Sequence, residues 1–467
     1  MSTQETLLKQ FDGAFNLTPQ QVEKVITGLN GECDTGLRTS SEAISTMIPS
    51  FVTALPTGQE QGTYLAMDLG GTNLRITAVQ LLGDGKIELI EEKRKVTKEL
   101  QTGKADAFFD WIADATRVLI TEKAAHLFSE AQVRHEEPLS MGVTWSFPIN
   151  LTAIDKGNCL RMGKGFVIEG VEGNDLVEMM DAAFRRQKMN VHVNAVLNDT
   201  VGTLIAAAYL KNPHVRISVI AGTGSNAANC EKVKDIIKLP ADIVAQHDPE
   251  DLMIMNTEWD IMGSDTELPR TKYDDIVDSE TAHPGFQPFE TMISGLWIGE
   301  LVRLVIHDFV KQGALFGGVL PRGMEAPLSF ETARMSEIER AKDLNDIADI
   351  LRKHYTIDTQ PTDQDLSAIQ HIVQTIGNRT AVLTAAAVAA LIRRDMRHFA
   401  KEDEDIVVAF TGSVYEHYPN MEQKLRHALA DIFGASFGDR LKLVHAPDGS
   451  AIGAAICAMV VDQKQEK

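Results

Sequence analysis

The spacing of apolar residues divides the chain into alternating helices and strands. Apolar side chains with helical spacing near the N-terminus are Leu7, Leu8, Phe11 and Phe15. They predict a short amphipathic helix. Between residues 63 and 85, two β-rich apolar runs flank Gly70-Gly71, which predicts a strand, a glycine turn, a second strand and a further turn.

The alternation continues to residue 210. The spacing predicts a helix at 105–128, a strand at 139–149, a Gly-rich loop around 156–166, a helix at 174–187, a strand at 191–200 and a helix at 200–210. Strands that alternate with helices are typical of α/β proteins, which place their functional sites at the carboxyl ends of strands.

A second unit begins at Val215 and repeats the first. Residues 215–231 again predict strand, glycine turn and strand, and Gly224-Ser225-Asn226 aligns with Gly71-Thr72-Asn73. We therefore expect an internally duplicated core. The remainder is predicted to be mostly helical from 297 to 400, with a polar connector near 354–365 and strand-to-turn elements at 405–419 and 441–460.

Composition narrows the class of protein. The chain has 467 residues, 44% hydrophobic and 24% charged, which predicts a globular protein of two or three domains. A formal charge of −21 opposes non-specific binding to nucleic acid or anionic membranes, so any phosphate must be held locally. Four scattered cysteines, no signal-like apolar stretch at the N-terminus and no predicted membrane span favour a cytoplasmic protein.

Four glycine turns are candidate phosphate sites, because glycine lets backbone N–H groups approach an anion closely. They are Gly70-Gly71-Thr72-Asn73, Gly222-Thr223-Gly224-Ser225-Asn226, Thr411-Gly412-Ser413 and Asp448-Gly449-Ser450. The alternatives are plain hairpin turns for the first two and helix caps for the others. None has the P-loop pattern, and Asp68 before the first turn is a candidate for holding Mg²⁺ directly or through water.

Asn198 and Asp199 lie where a predicted apolar strand ends and a helix begins. A helix cap is the alternative explanation for both residues. Phosphoryl transfer needs an acceptor group that orients and deprotonates the attacking hydroxyl, and little other covalent help. Asp199 is the candidate for that base.

A further group of polar side chains suits the recognition of sugar hydroxyls, because carboxylates and amides accept or bridge O–H groups and lysine donates. Its members are Ser146, Lys164, Asn226, Glu258 and Glu290. Each is alternatively a solvated surface residue. Trp145, Phe147 and Trp259 are either walls for the sugar's apolar edges or ordinary core residues.

Together these motifs identify a resemblance that covers nearly the whole chain. In order they are LPTGQEQGTYLAMDLGGTNLRITAVQL, TWSFPI, KGF, VEGNDLV, LNDTVGTL, GTGSNA, NTEWD, LPRTKYD, GELVRL, GSVYEHYP and APDGSAIGAA. The chain resembles the hexokinase family of eukaryotic ATP-dependent sugar kinases, in its fungal form.

The resemblance implies an α/β fold of two actin-like ATPase (ribonuclease H-like) lobes with a duplicated core, and a sugar in the cleft between them. The large lobe is expected at 1–64 and 200–451, and the small lobe, which closes over the sugar, at 65–199 and 452–467. The implied substrates are a sugar and MgATP, and the protein is expected to be a monomer or homodimer.

Roles follow residue by residue from the matched motifs. Asp199 is implied to be the general base toward the sugar 6-hydroxyl. The implied sugar-binding residues are Ser146, Lys164, Asn198, Asn226, Glu258 and Glu290. The implied phosphate and adenosine contacts are Asp68, Gly70, Gly71, Thr72, Asn73, Arg75, Thr223, Gly412, Ser413, Gly449 and Ser450.

Three departures from the family pattern bear on sugar choice. Met162-Gly163 replaces the usual Trp-Thr before Lys164 and removes a threonine hydroxyl, as in fungal N-acetylglucosamine kinases that share this fold. Thr411 replaces an aspartate, and Ala228-Asn229 stands where a tyrosine is common. Glucose and N-acetylglucosamine are therefore both retained as substrates.

Two function classes remain at this stage. The first is a kinase that phosphorylates a hexose or hexosamine, as in the first step of glycolysis. The second is a sugar-sensing regulator on the same fold with little turnover. Retention of Asp199 favours the enzyme, and an actin-like structural role would leave the carboxylates and Lys164 unexplained.

Overall fold

The structure is a computed structural model that describes residues 2–39, 45–70, 72–160, 162, 165–264, 266–401 and 404–465. Its strands are β1 (Ile48–Pro49), β2 (Gln61–Leu69), β3 (Asn73–Gly83), β4 (Lys86–Lys95), β5 (Leu139–Trp145), β6 (Ile149–Ala153), β7 (Lys156–Cys159), β8 (Val191–Leu197), β9 (Val215–Ala221), β10 (Ser225–Lys232), β11 (Leu252–Asn256), β12 (Ile406–Thr411) and β13 (Leu441–His445).

The α-helices are α1 (Thr3–Phe15), α2 (Pro19–Arg38), α3 (Lys98–Gln101), α4 (Ala105–Val118), α5 (Glu130–Val133), α6 (Leu176–Arg186), α7 (Asp199–Leu210), α8 (Ala241–Val244), α9 (Lys272–Glu280), α10 (Glu290–Ile293), α11 (Ile298–Lys311), α12 (Thr332–Arg340), α13 (Leu344–His354), α14 (Asp363–His398), α15 (Ser413–His417), α16 (Met421–Phe433) and α17 (Gly449–Gln465).

Two sheets share one topology. The smaller has the order β4-β3-β2-β5-β8 and the larger β1-β11-β10-β9-β12-β13, with β6 and β7 forming a separate hairpin. One strand of each sheet pairs antiparallel with the strand that follows it in the chain and parallel with a later strand, as β2 does with β3 and β5 and β9 with β10 and β12. This repeated pairing confirms the internal duplication that the glycine turns predicted.

Local sequence signals explain how the N-terminal helices form. Ser2 and Glu5 make a reciprocal capping box at α1, and Thr18 with Gln21 does the same at α2. Leu7, Phe11 and Phe15 are buried on one face of α1, as their spacing predicted.

Helices α7 and α17 pack between the two sheets through backbone contact. A Cβ added to Gly142 on β5 would lie 1.9 Å from the carbonyl oxygen of Ala454 on α17. A Cβ on Gly453 would lie 1.9 Å from the carbonyl oxygen of Gly202 on α7. Since no side chain fits at these points, glycine is required, and the contacts set where the N-terminus of α7 lies.

The structure corrects part of the predicted pattern. Residues 156–166 were expected to form a Gly-rich loop, but their first four residues form β7, because they pair with β6 and alternate residues, Gly157 and Cys159, are buried. The helix expected at 105–128 is α-helical only to Val118 and continues as a π-helical turn, Leu119–Lys123. The helical region from 297 to 400 and its connector are confirmed.

Within the described residues, one helix, α14, is long and apolar enough to cross a membrane by length and composition. In this fold 89% of the most apolar stretch of α14 is buried inside the protein, so α14 is a core helix of the larger unit. The expected lobe boundaries at 64/65 and 451/452 stay a prediction; β2 begins at Gln61 and α17 at Gly449.

Candidate functional site

The junction of β8 and α7 separates the roles of Asn198 and Asp199. Asn198 caps the helix, since its Oδ1 accepts a hydrogen bond from the N–H of Thr200 at 2.8 Å. Its Nδ2 makes no hydrogen bond to any described residue and remains a donor. Asp199 is the first helical residue and is half-buried. The cap alternative thus holds for Asn198, and the Asp199 carboxylate is not required for that cap.

Three side chains from β10, β11 and the following turn form a hydrogen-bonded group. Asn226 Nδ2 donates to Glu258 Oε1 at 3.0 Å, and Asn256 Nδ2 donates to the same oxygen at 2.6 Å. Asn226 Nδ2 also donates to Asn256 Oδ1 at 3.0 Å. Glu258 has a left-handed backbone (φ 48°), which turns its side chain out of the strand direction. Its other carboxylate oxygen is left to accept from a ligand.

Glu290 lies beside this group at the start of α10. Its Oε2 accepts the N–H of Ser225 at 3.2 Å, and Ser225 Oγ accepts from the indole Nε1 of Trp259 at 3.1 Å. The predicted sugar carboxylates Glu258 and Glu290 are therefore held around the start of β10.

Sequence reasoning missed two residues of this region, Asn256 and Asp260. Both are buried, at 6% and 7% exposure. Gln287 Nε2 donates to Asp260 Oδ2 at 2.8 Å. The available signal was the recurrence of polar residues at 256, 258 and 260. Such spacing does not tell a buried carboxylate from a solvated one, so the signal was insufficient by itself.

The buried carboxyl groups of this region have higher pKa values than carboxyl groups exposed to water. Burial, and then the neighbouring charge of Asp260, raise the pKa of Glu258 well above its usual range. Burial and the charge of Asp260 raise the pKa of Glu290 to about 7. Burial also raises the pKa of Asp260. Hydroxyl donors from a ligand would favour the ionised forms.

The first glycine turn joins β2 to β3. Gly70 N–H donates to the carbonyl of Asn73 at 3.0 Å, and the exposed Thr72 accepts from Asn73 Nδ2 at 3.0 Å. Asp68 pairs in register with Arg75, whose Nη1 lies 3.5 Å from Asp448 Oδ1. Asp68 is half-buried near the end of β2, just before this turn. A carboxylate in this position suits the binding of a metal ion that accompanies a phosphate ligand.

The other glycine turns meet at the ends of β9 and β12. A Cβ on Gly222 would lie 3.4 Å from the backbone nitrogen of Ser413, and Gly412 has φ 108°, which favours glycine. Thr223 and Ser413 are exposed. The structure therefore brings Thr223, Gly412 and Ser413 to one edge of the larger sheet.

The fourth turn packs on α7. A Cβ on Gly449 would lie 2.8 Å from the Cα of Thr203, and Thr144 Oγ1 donates to the carbonyl of Ser450 at 3.0 Å. Gly449 and Ser450 thus lie against the helix that begins with Asp199. Arg75 reaches this turn through Asp448, which connects the first and fourth motifs.

Some predicted residues are placed differently or fall outside the described residues. Gly71, Gly163 and Lys164 lie outside them. Ser146 follows β5 and is half-buried. Trp145, Phe147 and Met162 are buried in the core of the smaller sheet and Trp259 in that of the larger, so the core alternative holds for the aromatic residues.

Thr411, one of the departures, is integrated into the turn before α15. Its Oγ1 donates to Glu416 Oε1 at 3.0 Å, and the same oxygen accepts the N–H of Gly412 at 2.9 Å. His445 Nε2 lies 3.0 Å from that oxygen. Glu416 thus supplies a carboxylate at this turn.

Comparison with known proteins covers the chain from end to end. Two hexokinase family models match residues 7–209 and 216–460. Hexokinase-1 of Schizosaccharomyces pombe is 35% identical over 96% of this chain and 89% of its own length. Hexokinase-2 of Candida albicans is 33% identical over 98% of this chain and 92% of its own length.

Solved structures agree. A hexokinase from Schistosoma mansoni complexed with glucose has a TM-score of 0.78 at 28% identity and covers 98% of this chain and 100% of its own. A second hexokinase crystal structure has a TM-score of 0.81 at 26% identity, over 97% and 100% of the two chains. These matches confirm the two-lobed actin-like ATPase fold expected from the motifs.

Proposed function

Because the chain belongs to the hexokinase family, which phosphorylates hexoses with ATP and Mg²⁺, we propose that it transfers the γ-phosphoryl group of ATP to the 6-hydroxyl of its sugar. The observation that carries the proposal is the position of Asp199. Its half-buried carboxylate begins α7, against which the fourth glycine turn packs, and its charge adds to burial, the larger cause, in raising the pKa of Glu258 and Asp260.

Different residues would bind the sugar, accept the proton and hold the phosphates in this transfer. Asn226, Glu258, Glu290, Asn198, Ser146 and Lys164 would hold the sugar hydroxyls. Asp199 would take the proton as the sugar 6-oxygen bonds to the γ-phosphorus and the bond from that phosphorus to the bridging oxygen of ADP breaks. ADP leaves with that electron pair. Mg²⁺, when bound with ATP, neutralises charge on the phosphates, and Asp68 is placed to hold it directly or through water.

The phosphate side would be supplied mainly by backbone N–H groups of the turns. These are at Thr72-Asn73 in the first turn, where the Gly70 N–H is used internally and Gly71 is outside the described residues, at Thr223, at Ser413, whose neighbour Gly412 donates to Glu416, and at Gly449-Ser450. Arg75, whose Nη1 lies 3.5 Å from Asp448 Oδ1, would add a positive charge on this side. A sugar-sensing regulator with little turnover is the second candidate. A coupled assay that measures ADP release with each sugar decides between them, since a regulator would bind sugar without turnover.

We expect the sugar to bring the two sheets' lobes together. An open site would let water compete with the 6-hydroxyl, so ATP hydrolysis without sugar should be slow. Small-angle X-ray scattering with and without a good substrate should show a smaller radius of gyration in its presence. An unchanged radius together with fast sugar-independent hydrolysis would contradict this prediction.

The choice of sugar is proposed to depend on Met162-Gly163. Replacing Trp-Thr by Met-Gly removes a rigid indole, a hydroxyl and a Cβ beside the predicted sugar-binding Lys164. Met162 is buried in the core of the smaller sheet, so its side chain is used for packing. A larger pocket that lacks one hydroxyl selects less strongly for plain glucose. We therefore propose N-acetylglucosamine beside glucose as a substrate.

Gly163→Thr tests this proposal by restoring the hydroxyl and the Cβ. kcat/KM for N-acetylglucosamine should fall much more than kcat/KM for glucose, because the acetamido group loses its space. Equal losses for both sugars, or no wild-type turnover of N-acetylglucosamine, would leave glucose as the substrate. Thr411→Ser, which keeps a hydroxyl on the phosphate side, is the control and should affect both sugars alike.

A further inference from the structure

Asp260 is a buried carboxylate that the proposed transfer does not use. It lies in the short helical turn Trp259–Ile261 and is 7% exposed. Its Oδ2 accepts from Gln287, and the backbone N–H groups of Asp260 and Ile261 also lower its pKa, whereas its buried Oδ1 accepts from no side chain among the described residues. Burying a carboxylate that has one side-chain donor and no cationic partner is costly, so its retention here calls for a function.

The hydrogen bond from Gln287 connects the two segments that carry the predicted sugar carboxylates. Glu258 precedes Asp260 by two residues, and Glu290 follows Gln287 by three. The contact of 2.8 Å between Gln287 and Asp260 therefore holds the turn after β11 against the start of α10. Movement of either residue would move Glu258 or Glu290.

The charges that act on Asp260 and its neighbours are negative. Asp199 at the start of α7, Glu258 on the same turn and Glu290 on α10 face this region from the elements packed around it. Among the described residues, no lysine, arginine or histidine forms an ion pair with Glu258, Asp260 or Glu290. Lys164, the predicted cation of the pocket, lies outside those residues.

We propose that Asp260 is a positioning residue of the sugar site: through Gln287 it fixes Glu258 relative to Glu290, and, as a third buried carboxyl group beside them, it makes sugar binding release protons. This inference rests on the proposed sugar site. Sugar hydroxyls donate to ionised carboxylates, so binding favours the deprotonated forms of Glu258 and Glu290. After burial, the ionised form of Asp260 is the next cause that raises the pKa of both groups, so it favours their protonated forms when no sugar is bound.

The sign of the pH dependence follows from the raised pKa values. Below about pH 7 Glu290 is mostly protonated in the empty pocket, and Glu258, whose pKa is also raised, keeps its proton too. Sugar affinity should therefore increase as the pH rises through that region and level off above it. With the charge of Asp260 removed, both carboxylates ionise at lower pH, and the increase should occur earlier.

Two variants separate charge from position. Asp260→Asn keeps the size and an acceptor for Gln287 but removes the charge; we expect the midpoint of sugar affinity against pH to fall by at least about 0.5 unit. Gln287→Leu keeps the Asp260 carboxyl group but removes the connection; we expect KM for the sugar to rise about five- to tenfold with kcat little changed. Asp431→Asn, at an aspartate whose side chain is 73% exposed, is the matched control and should change neither.

Isothermal titration calorimetry of the full chain measures the effect directly. The titrant is glucose or N-acetylglucosamine, whichever the wild type phosphorylates better. Titrations at pH 7 in two buffers of different ionisation enthalpy give the protons released per sugar, and a series from pH 5.5 to 9 gives the midpoint. Wild type should release protons, and Asp260→Asn should release fewer.

Identical proton release and midpoint in wild type and Asp260→Asn, with the wild type active, would overturn this inference and leave the proposed function intact. Absence of sugar phosphorylation by the wild type would instead refute the proposed function, and this inference with it. If Asp260→Asn does not fold, a KM for Gln287→Leu equal to that of wild type would overturn the positioning role.

Discussion

Asp199→Ala should lower kcat by at least about 10²-fold while sugar and ATP still bind, because positioned proton transfer contributes about 10²–10⁴-fold. The helix should survive the change, since its N-cap is Asn198 and not Asp199. Steady-state kinetics give kcat, and calorimetry gives the two affinities. By contrast, Asn198→Ala should mainly weaken sugar binding, with an added loss of helix stability from the missing cap.

A matched control for this variant is Asp363→Ala. Asp363 is also an acidic residue in the first turn of a helix, α14, and it is exposed. It shares the favourable position near a helix N-terminus but is outside the proposed site. Near-normal kcat in Asp199→Ala, with both ligands bound, would refute the role of general base.

Arg379→Met should destabilise the protein by about 3–5 kcal/mol, because it leaves a buried charge without its partner. Arg379 on α14 makes two hydrogen bonds of 2.9 Å to Asp274 on α9, and the two side chains are 1% and 0% exposed. The guanidinium also donates to the carbonyl of Pro269 and lies 5.0 Å from the centre of the Phe15 ring on α1. One side chain thus connects three helices.

Urea titration followed by circular dichroism measures the free energy of unfolding. The matched control is Arg352→Met, which removes an ion pair with Asp349 whose side chains are 44% and 78% exposed. Exposed pairs contribute about 0–1 kcal/mol, so the control should change little. Equal effects of the two variants would show that the buried pair has no special role.

The fold could be predicted from sequence wherever the signal is local. Three such signals are the turns at Gly70 and Gly222 and the strand-to-helix junction at Asn198. Each combines glycine or a capping residue with an apolar run, so a few neighbouring residues determine its conformation. The hairpin of β6 and β7 was missed because Gly157 and Asn158 are typical of loops. Pairing across that hairpin and burial of alternate residues outweigh this local preference.

The site was predictable in part for a related physical reason. Glu258 and Glu290 stand in recognisable motifs, but the role of Asp260 depends on a contact with Gln287, which lies 27 residues away in the sequence. Burial of a carboxylate is a property of the packed structure and has no signature in a single sequence. The raised pKa values of Glu258 and Glu290 could not be anticipated for the same reason, since burial is the largest cause of both.

The packing of α17 has a consequence for the order in which the protein is made. This helix covers β2, β5 and β8 and packs on α7, yet it is translated after all of them. Until its residues leave the ribosome, apolar residues of β8 and α7 such as Ala195, Leu197 and Leu204 lack the helix with which they share one buried cluster. The smaller sheet therefore completes its core only after synthesis has passed α17. Before that point the nascent chain exposes apolar surface that promotes aggregation.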